Sequence, residues 1–427
     1  MNNYFNNMFR MALVLLCCLP FWAMSQTSQS LGGALDGFFN ALKANASTSV
    51  GGLEVSTELG NPLEIPQAWL PDNALASGKS HTIYLSPQGI VFGWGSNSEG
   101  QIGQGRIDGK GPTGSDVVAW APGNFSTPKK IELDNVVAVY AAGNQSFALK
   151  KDGSVWAWGH GRYLGIGAYN SDAVFPVPMP VNGLPSIAKL QVWDQGVYAF
   201  GTDGSVWIWG EGVLSRMLQG REFRRFQTST PVRSKLGSPQ DIRVSSNDSD
   251  ASYILTKNRK LFHPDTPTPI LPVDIERVFG TSGYISGNIF FQSVDQTLYS
   301  LETGPPQRMP NGTVSFSVSP LKGLGIPVQI AQESDFSVFL QTDGSMLVWG
   351  GAGPLGRGFI PFSQGMPSAK EIPKKVSNAP AFASIKSNLS GIYGVTQGGV
   401  VYRHEINSSS NLPLPYKNFV LIFNPQK

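Results

Sequence analysis

The sequence predicts an all-β protein, a seven-bladed β-propeller with about 51 residues in each blade, and three observations lead to this prediction. Charged residues make up only 14% of the 427 residues, against about 25% in an average soluble domain. Glycine (49 residues), proline (31 residues) and aromatic residues (11%) are abundant, which indicates short strands and many turns. One strand–turn–strand pattern also recurs along the chain. Together these features exclude a coiled coil, a helical solenoid and a disordered chain.

Four strong copies of the repeat each contain an apolar strand, a tight turn and a second strand that ends in Trp-Gly. They begin at His81, Ser146, Val197 and Ser337. Apolar and polar residues alternate within each copy, as they do in a strand that lies between two layers. Asp-Gly pairs at 152–153, 203–204 and 343–344 predict hairpin turns, because glycine accepts the positive φ that such turns need.

Three weaker copies complete the array. They begin at Ser252, Ile289 and Ile392, and Pro264, Leu301 and His404 stand in their tryptophan positions. The mean step from Trp94 to His404 is about 52 residues, which is typical of propeller blades. We therefore predict that residues 71–427 form the propeller. The ring would be closed either by Phe419–Phe423, joining the sheet of the first blade, or by Leu63–Ile65.

The best copy, from Ala76 to Gly105, reads ASGKSHTIYLSPQGIVFGWGSNSEGQIGQG. It resembles the repeat of the regulator of chromosome condensation family, which has a Gly-x-x-His/Ser entry, a turn glycine, Trp-Gly and then Asn-x-x-Gly-Gln-Leu-Gly. Residues 141–159 and 350–358 are also similar. The resemblance implies a seven-bladed propeller that binds other proteins. Known members act as an exchange factor on a small GTPase and, in exported bacterial forms, as inhibitors of a β-lactamase.

We interpret the Trp-Gly pairs as structural residues of the repeat. Tryptophan fills the space between neighbouring sheets, where an aromatic side chain buries about 150–250 Å². The glycine lets the backbone turn without a side-chain clash. The residues are Trp94, Gly95, Trp158, Gly159, Trp209, Gly210, Trp349 and Gly350.

The N-terminus predicts export. Residues 1–25 have the features of a signal peptide: Arg10, an apolar run from Met11 to Trp22, and small residues before a cleavage site at Gln26. The run is shorter than the roughly 20 residues that span a bilayer, so we expect no mature transmembrane segment, with an uncleaved anchor as the alternative. Both cysteines lie within this signal, which favours a bacterial protein of the periplasm or the extracellular space.

A leader, residues 26–70, separates the signal from the propeller. Its apolar residues fall on one face of a short amphipathic helix: Leu31, Leu35, Phe38, Phe39 and Leu42. This helix either packs on the propeller or docks on a partner or a membrane surface. The small residues from Ala44 to Gly52 would serve as its tether.

The sequence contains no recognisable catalytic or metal-binding motif. The four histidines, at 81, 160, 263 and 404, fall in different copies of the repeat and have no zinc-site spacing. We therefore expect no catalytic residue, no metal and no cofactor. The net charge of +3, without a run of Lys or Arg, also argues against nucleic acid as a partner.

Two segments have the composition of a binding surface. In GREFRRF, Arg221, Arg224 and Arg225 alternate with Phe223 and a second phenylalanine. Arginine and aromatic residues are enriched in interface hot spots, and Trp120, in the insertion from Ile107 to Pro128, is a further candidate. The alternative is that the phenylalanines cover a blade edge and the arginines are solvated.

These observations favour an exported, non-catalytic module or scaffold that binds another protein. Two alternatives stay open: a structural subunit of an envelope secretion or adhesion machine, and an envelope hydrolase or lyase that acts on a polymer at the mouth of the channel. A GTPase exchange role conflicts with the signal peptide, because the GTPase would lie on the other side of the membrane.

Overall fold

The structure is a computed structural model, and its described residues all belong to a compact unit of residues 56–427. It describes residues 70–105, 107, 127–168, 173–212, 226–234, 242–244, 252–255, 258–262, 269–279, 289–301, 307–308, 314–315, 318–321, 324–332, 336–350, 373–376, 379–388, 391–405 and 419–426. The predicted signal peptide and leader helix lie outside these residues. No helix in the described ranges is both long and apolar enough to cross a bilayer.

The described residues form six blades, each an antiparallel sheet of four strands. Blade 1 contains β1 (Leu75–Ser77), β2 (His81–Leu85), β3 (Val91–Gly95) and β4 (Lys129–Ile131). Blade 2 contains β5 (Val136–Ala142), β6 (Gln145–Lys150), β7 (Val155–His160) and β8 (Val174–Pro180). Blade 3 contains β9 (Ile187–Trp193), β10 (Gly196–Gly201), β11 (Val206–Gly212) and β12 (Phe226–Arg233).

A smaller sheet follows blade 3 in the chain. It consists of β13 (Ile242–Val244), β14 (Ser252–Leu255) and β15 (Leu261–Phe262). Leu255 and Leu261 of this sheet pack against Ile275 and Phe291 of the next blade.

The remaining blades complete the array. Blade 4 contains β16 (Ile275–Phe279), β17 (Ile289–Ser293), β18 (Leu298–Leu301) and β21 (Val318–Pro320), with a small hairpin of β19 (Gln307–Arg308) and β20 (Val314–Ser315) inserted. Blade 5 contains β22 (Gln329–Gln332), β23 (Phe336–Leu340), β24 (Met346–Gly350) and β25 (Lys374–Lys375). Blade 6 contains β26 (Ser384–Asn388), β27 (Gly391–Val395), β28 (Val401–Glu405) and β29 (Phe419–Phe423).

The prediction of seven blades is therefore wrong. The described residues form six four-stranded blades, and within them the copy of the repeat that begins at Ser252 contributes to a sheet of three strands. This copy has Pro264 where the strong copies have tryptophan. Proline has no amide hydrogen to give to a neighbouring strand, and β15 ends two residues before it.

The first strand of each blade lies towards the axis of the ring. First strands of neighbouring blades contact one another, as β1 does with β5 and β26, and β5 does with β9. Between the sheets, apolar side chains from both blades form common clusters. One such cluster joins Val139 and Trp158 of blade 2 to Ile83 of blade 1. Blade 1 and blade 6 also share this cluster, through Tyr393 and Val401, so the array closes on itself.

The Asp-Gly pairs lie in three-residue hairpin loops. In blade 2, the amide of Gly153 donates to the carbonyl of Lys150 at 2.9 Å, and the Asp152 carboxylate accepts from the amide of Ser154 at 2.8 Å. Gly153 has φ +82°, which places it in the left-handed region at the end of the loop. Arg259 (φ 59°) and Gln296 (φ 65°) take the place of this glycine in weaker copies.

Among the described residues, the first and last blades share no strand. The predicted pairing of Phe419–Phe423 with the first blade is wrong, because β29 pairs with β28 of its own blade. Leu63–Ile65 lies outside the described residues. β29 follows β28 in the chain and forms the fourth strand of blade 6, as β4 does in blade 1. Each described blade is consequently built from one continuous stretch of sequence.

Side chains of blades 1 and 6 hold the junction instead. The Tyr84 hydroxyl donates to the carbonyl of Gly399 at 2.5 Å, and the Asn388 amide donates to the carbonyl of His81 at 3.1 Å. The Phe423 ring lies 5.6 Å from the Tyr84 ring and 4.6 Å from the Phe92 ring, measured between centroids. Burial raises the pKa of Tyr84, so its hydroxyl stays protonated and remains a donor.

We expect Tyr84→Phe to destabilise the protein by about 1–3 kcal/mol, because it leaves the buried carbonyl of Gly399 without its donor. Urea unfolding followed by tryptophan fluorescence measures the change. Tyr299→Phe, in a ring that stacks on Phe291 within blade 4, is the control and should change stability less. Equal effects of the two variants would show that the Tyr84 hydroxyl does not secure the junction.

Candidate functional site at the axis of the ring

Strand register places polar side chains from four first strands at one level around the axis. Each pairs with the last residue of the second strand that also pairs with the third strand of the blade. The pairs are Lys189 with Phe200, Arg277 with Gln292, Gln329 with Leu340, and Ser384 with Val395. Lys189 and Arg277 are exposed at this level. The four side chains therefore lie at the end of the axis where the first strands begin.

A single helical turn, α1 (Pro71–Ala74), brings a carboxylate to the same place. α1 precedes β1 and contacts β1, β2, β5 and β26. The Asp72 carboxylate accepts a hydrogen bond of 2.6 Å from the Gln329 amide. The side-chain oxygen of Gln329, Oε1, in turn accepts from the Ser384 hydroxyl at 3.0 Å and from the backbone amide of Ile385 at 2.8 Å. One glutamine thus links α1 to blades 5 and 6.

Two cations lie near this carboxylate. The Arg277 guanidinium donates to the carbonyl of Val328 at 2.8 Å and lies 4.5 Å from the centroid of the Phe279 ring. Partial burial lowers the pKa of Arg277, and the charge of Asp72 offsets part of this effect. Burial lowers the pKa of Lys386 in the same way, again with Asp72 opposing it. We call Asp72, Arg277, Gln329, Ser384 and Lys386 the axial cluster.

The axial cluster has the chemistry of a carboxylate-binding site. It offers two cations and an amide donor, and its single carboxylate comes from α1, which lies outside the blades. Guanidinium, ammonium and amide donors are the groups that bind carboxylates in proteins. Among the described residues, no group of three His, Cys, Asp or Glu side chains is placed to hold a metal ion.

The opposite end of the axis carries a series of linked turns. These turns join the first and second strands of blades 1, 2 and 3. The amide of Lys79 donates to the carbonyl of Gly143 at 2.7 Å, and the amide of Gly143 donates to the Asp194 carboxylate. Burial raises the pKa of Asp194 to about 6, although this hydrogen bond and the charge of Lys79 act in the other direction.

Two of the repeated tryptophans tie their blade to the one before it, whereas the indole N–H groups of Trp94 and Trp349 have no hydrogen-bond partner among the described residues. The Trp158 indole donates to the carbonyl of Gln101 at 2.9 Å, and the Trp209 indole donates to the carbonyl of Tyr163 at 3.0 Å. The Gln101 carbonyl also accepts from the Ser146 hydroxyl at 2.8 Å. Gln101 belongs to the GQIGQG segment, so a backbone carbonyl of this glycine-rich loop accepts two hydrogen bonds from blade 2. Trp94 and Trp349 are equally buried.

His81 continues this network from blade 1. Its Nε2 lies 2.8 Å from the Ser146 hydroxyl, and the side chain is fully buried. Burial lowers the pKa of His81 to about 3, with a hydrogen bond to the backbone of Gln145 opposing it. His81 is therefore neutral at neutral pH and acts as a hydrogen-bonding residue between blades 1 and 2.

The glycine after each tryptophan is needed for a close backbone approach. Gly95, Gly159 and Gly210 have φ values of +99°, +103° and +96°. A Cβ atom on Gly95 would lie 2.4 Å from the carbonyl oxygen of Ser80, and the equivalent distances are 2.3 Å at Gly159 and 2.2 Å at Gly210. Gly350 pairs with Phe336 in blade 5.

The structure does not test the binding residues that the sequence predicts. Arg221, Phe223, Arg224, Arg225 and Trp120 lie outside the described residues. The sequence did hold a signal for the axial cluster, which the prediction missed. A cation stands at the third position of two first strands, Arg277 in IERVF and Lys386 in SIKSN.

We expect Asp72→Asn to lower the free energy of unfolding by about 1 kcal/mol, because it removes the carboxylate whose charge favours the exposed Arg277 and the half-buried Lys386. Introducing Asp72→Asn into a Lys386→Met background should cost less, since one cation is then absent. Chemical denaturation of the four proteins in this cycle measures the coupling. Asp134→Asn, which removes a surface pair with Lys150, is the control, and additive effects in the cycle would contradict the cluster.

The raised pKa of Asp194 predicts a pH-dependent stability. The folded state holds the proton up to a pH of about 6, whereas the unfolded carboxyl releases it near 4. Stability therefore falls as the pH rises through this window, and Asp194→Asn should remove that fall. Relative to the unsubstituted protein, we expect the variant to gain about 2 kcal/mol between pH values of about 4 and 7.

Urea unfolding of both proteins across this pH range measures the gain. Asp152→Asn is the matched control, because hydrogen bonds from Ser154 lower the pKa of Asp152. Its variant should lose stability relative to the unsubstituted protein as the pH rises. A flat difference for Asp194→Asn would mean that this carboxyl is not held neutral in the fold.

Comparison with known proteins identifies the repeat. Two models of the Regulator of chromosome condensation (RCC1) repeat match residues 73–101 and 88–149. The RCC1-like G exchanging factor-like protein of Mus musculus is 27% identical over 145 residues, which cover 33% of this chain and 28% of that protein. The Probable E3 ubiquitin-protein ligase HERC6 of Homo sapiens is 28% identical over 244 residues, covering 52% of this chain and 22% of HERC6.

The aligned regions thus span only about a quarter of these relatives. Among solved structures, the complex of Kap60 with yeast RCC1 (Prp20) is similar, with 20% identity, coverage of 82% of this chain and 75% of the other, and a TM-score of 0.44. The repeat matches cover blade 1 and the first half of blade 2, which contain the Trp94-Gly95 pair and the GQIGQG loop. Residues 73–149 are therefore repeats of the regulator of chromosome condensation (RCC1) family, and the chain forms an RCC1-like propeller.

Proposed function

We propose that this chain is an exported, non-catalytic module or scaffold that binds another protein through an RCC1-like propeller. One observation carries the proposal: the tryptophans that recur in the repeat are buried in the propeller, where their contacts are structural. Trp158, Trp209 and Ser146 all bond to backbone carbonyls of the preceding blade. The repeat therefore builds a rigid support, and recognition falls to the segments that differ from blade to blade.

The proposed binding segments connect the third and fourth strands of two blades. Arg221, Phe223, Arg224 and Arg225 lie between β11 and β12 of blade 3, and Trp120 lies between β3 and β4 of blade 1. These connections are the long ones in their blades, whereas the hairpin loops have three residues. Arginine and aromatic side chains in such loops supply most of the energy in many protein interfaces.

The names of the relatives do not transfer an activity to this chain. The exchange-factor and ubiquitin-ligase names belong to proteins of which the matched region covers 28% and 22%. The matched region here is built from propeller strands, which act as a support in the proposal. We accordingly propose a binding role and no chemical reaction.

The proposed location is the periplasm or the extracellular space of a bacterium. The support is the N-terminal sequence: a basic residue, a short apolar run and a small-residue cleavage site. The remaining sequence contains no cysteine, so the exported chain would need no disulfide to fold.

Affinity capture tests the proposed function. The mature protein, from Gln26, is used as bait against envelope and culture fractions, beside a variant with Arg221, Arg224 and Arg225 changed to Glu. We expect one stoichiometric protein partner that the variant loses. Glutamate repels the carboxylates of a partner, whereas the arginine guanidinium binds a carboxylate through two hydrogen bonds.

A matched variant controls for net charge. Lys129, Lys130 and Lys151 are exposed cations of blades 1 and 2, and changing them to Glu alters the charge equally. This variant should keep the partner. Loss of the partner from both variants would show a general charge effect, and the absence of any partner would contradict the interaction module.

A further inference from the structure

The outer strand of blade 6 differs from the outer strands of the other five blades. Each of those carries residues that discourage pairing with another strand. These are Lys129 and Lys130 in β4, Pro176, Pro178 and Pro180 in β8, Pro231 in β12, Pro320 in β21, and Lys374 and Lys375 in β25. Proline has no amide hydrogen to donate, and lysine charges repel the same edge of a second copy.

β29 has no such residue, although its pairing with β28 shifts register at Ile422. Its sequence, FVLIF, contains no proline and no charge. Val420 and Leu421 are 46% and 47% exposed, although both are large and apolar. β29 is also the last strand in the order of its sheet, so its outer row of amide and carbonyl groups has no neighbouring strand among the described residues.

Both ends of β29 are held in place. The Phe419 ring lies 5.0 Å from the Phe382 ring and 5.2 Å from the His404 ring, and the Phe423 ring packs on blade 1. The strand is therefore already ordered, so the free energy of pairing with β29 includes no entropy loss for ordering this strand. Its free edge is a preformed template for one more antiparallel strand.

Exposure of apolar side chains alone does not set β29 apart. Val177 and Met179 of β8 are exposed to 44% and 37%, which is a similar extent. In β8, however, prolines alternate with these residues, and because amides two residues apart point to the same edge, Pro176, Pro178 and Pro180 leave one edge without amide donors along this stretch. Among the outer strands of the six blades, β29 alone contains neither proline nor lysine.

We propose that two copies of this chain pair through β29 and form a symmetric dimer. A twofold axis at Leu421 would place it opposite Leu421 of the second copy. The Phe419–Val420 half of each strand would then face the Ile422–Phe423 half of the other, which contains the register shift at Ile422. All of these cross-strand pairs are apolar, and each contributes about 0.2–1 kcal/mol. No like charges face each other, since the strand has none, so a second copy fits this edge in the antiparallel direction.

Analytical ultracentrifugation of the full chain tests the dimer. We expect twice the monomer mass for the unsubstituted protein and a return to the monomer mass for Leu421→Lys, which brings two like charges together at the axis. Val177→Lys is the matched control on the proline-containing edge and should remain dimeric. A monomeric unsubstituted protein, or a dimer that survives Leu421→Lys, would overturn the proposal.

A cross-linking experiment tests the register with a milder change. In a full chain with Cys17→Ser and Cys18→Ser, Leu421→Cys places one thiol opposite its own copy, so mild oxidation should give a disulfide-linked dimer on a non-reducing gel. Val420→Cys faces a different residue and should give none. Circular dichroism confirms that each variant is folded. Equal cross-linking of the two variants, or none by Leu421→Cys, would contradict the pairing about Leu421.

Discussion

A propeller depends on the contact between its last blade and its first, and among the described residues side chains hold that junction. Because β29 stays in its own sheet, the junction lacks the row of backbone hydrogen bonds that a shared strand would supply. A buried tyrosine hydroxyl, a buried asparagine amide and a group of aromatic rings take its place. The position of α1 follows from this arrangement, since α1 contacts strands of both blades at the junction.

Much of the blade architecture was predictable because it is local. In each strong copy the tryptophan follows the turn glycine by a fixed interval, and the same interval identifies Leu301 and His404 in the weak copies. Both residues are buried, with exposures of 0% and 1%. The number of complete blades was not predictable in this way. Spacing alone cannot show whether a copy with proline in the tryptophan position adds a fourth strand.

The axial cluster was beyond the reach of sequence reasoning for a different reason. Its members come from α1 and three separate first strands, and only the pairing register shows that Arg277 and Gln329 share a level. A register shift between Ile275 and Arg277 also changes the residue count along β16, so equal positions in two first strands do not lie at equal levels. One of the two predicted closing strands, Phe419–Phe423, was wrong on similar grounds, because ring closure is a contact between the two ends of the propeller.

Continuity of each blade in the sequence has a consequence for how the protein is made. Contacts within a blade are short in sequence, so each sheet can form soon after its strands leave the ribosome, or soon after they cross a membrane. No early strand has to wait unpaired for a late one. The seam between the first and last blades then forms at the end of synthesis, and it can reopen by separating side chains without unzipping a strand. Such a seam makes local opening of the ring easier than global unfolding.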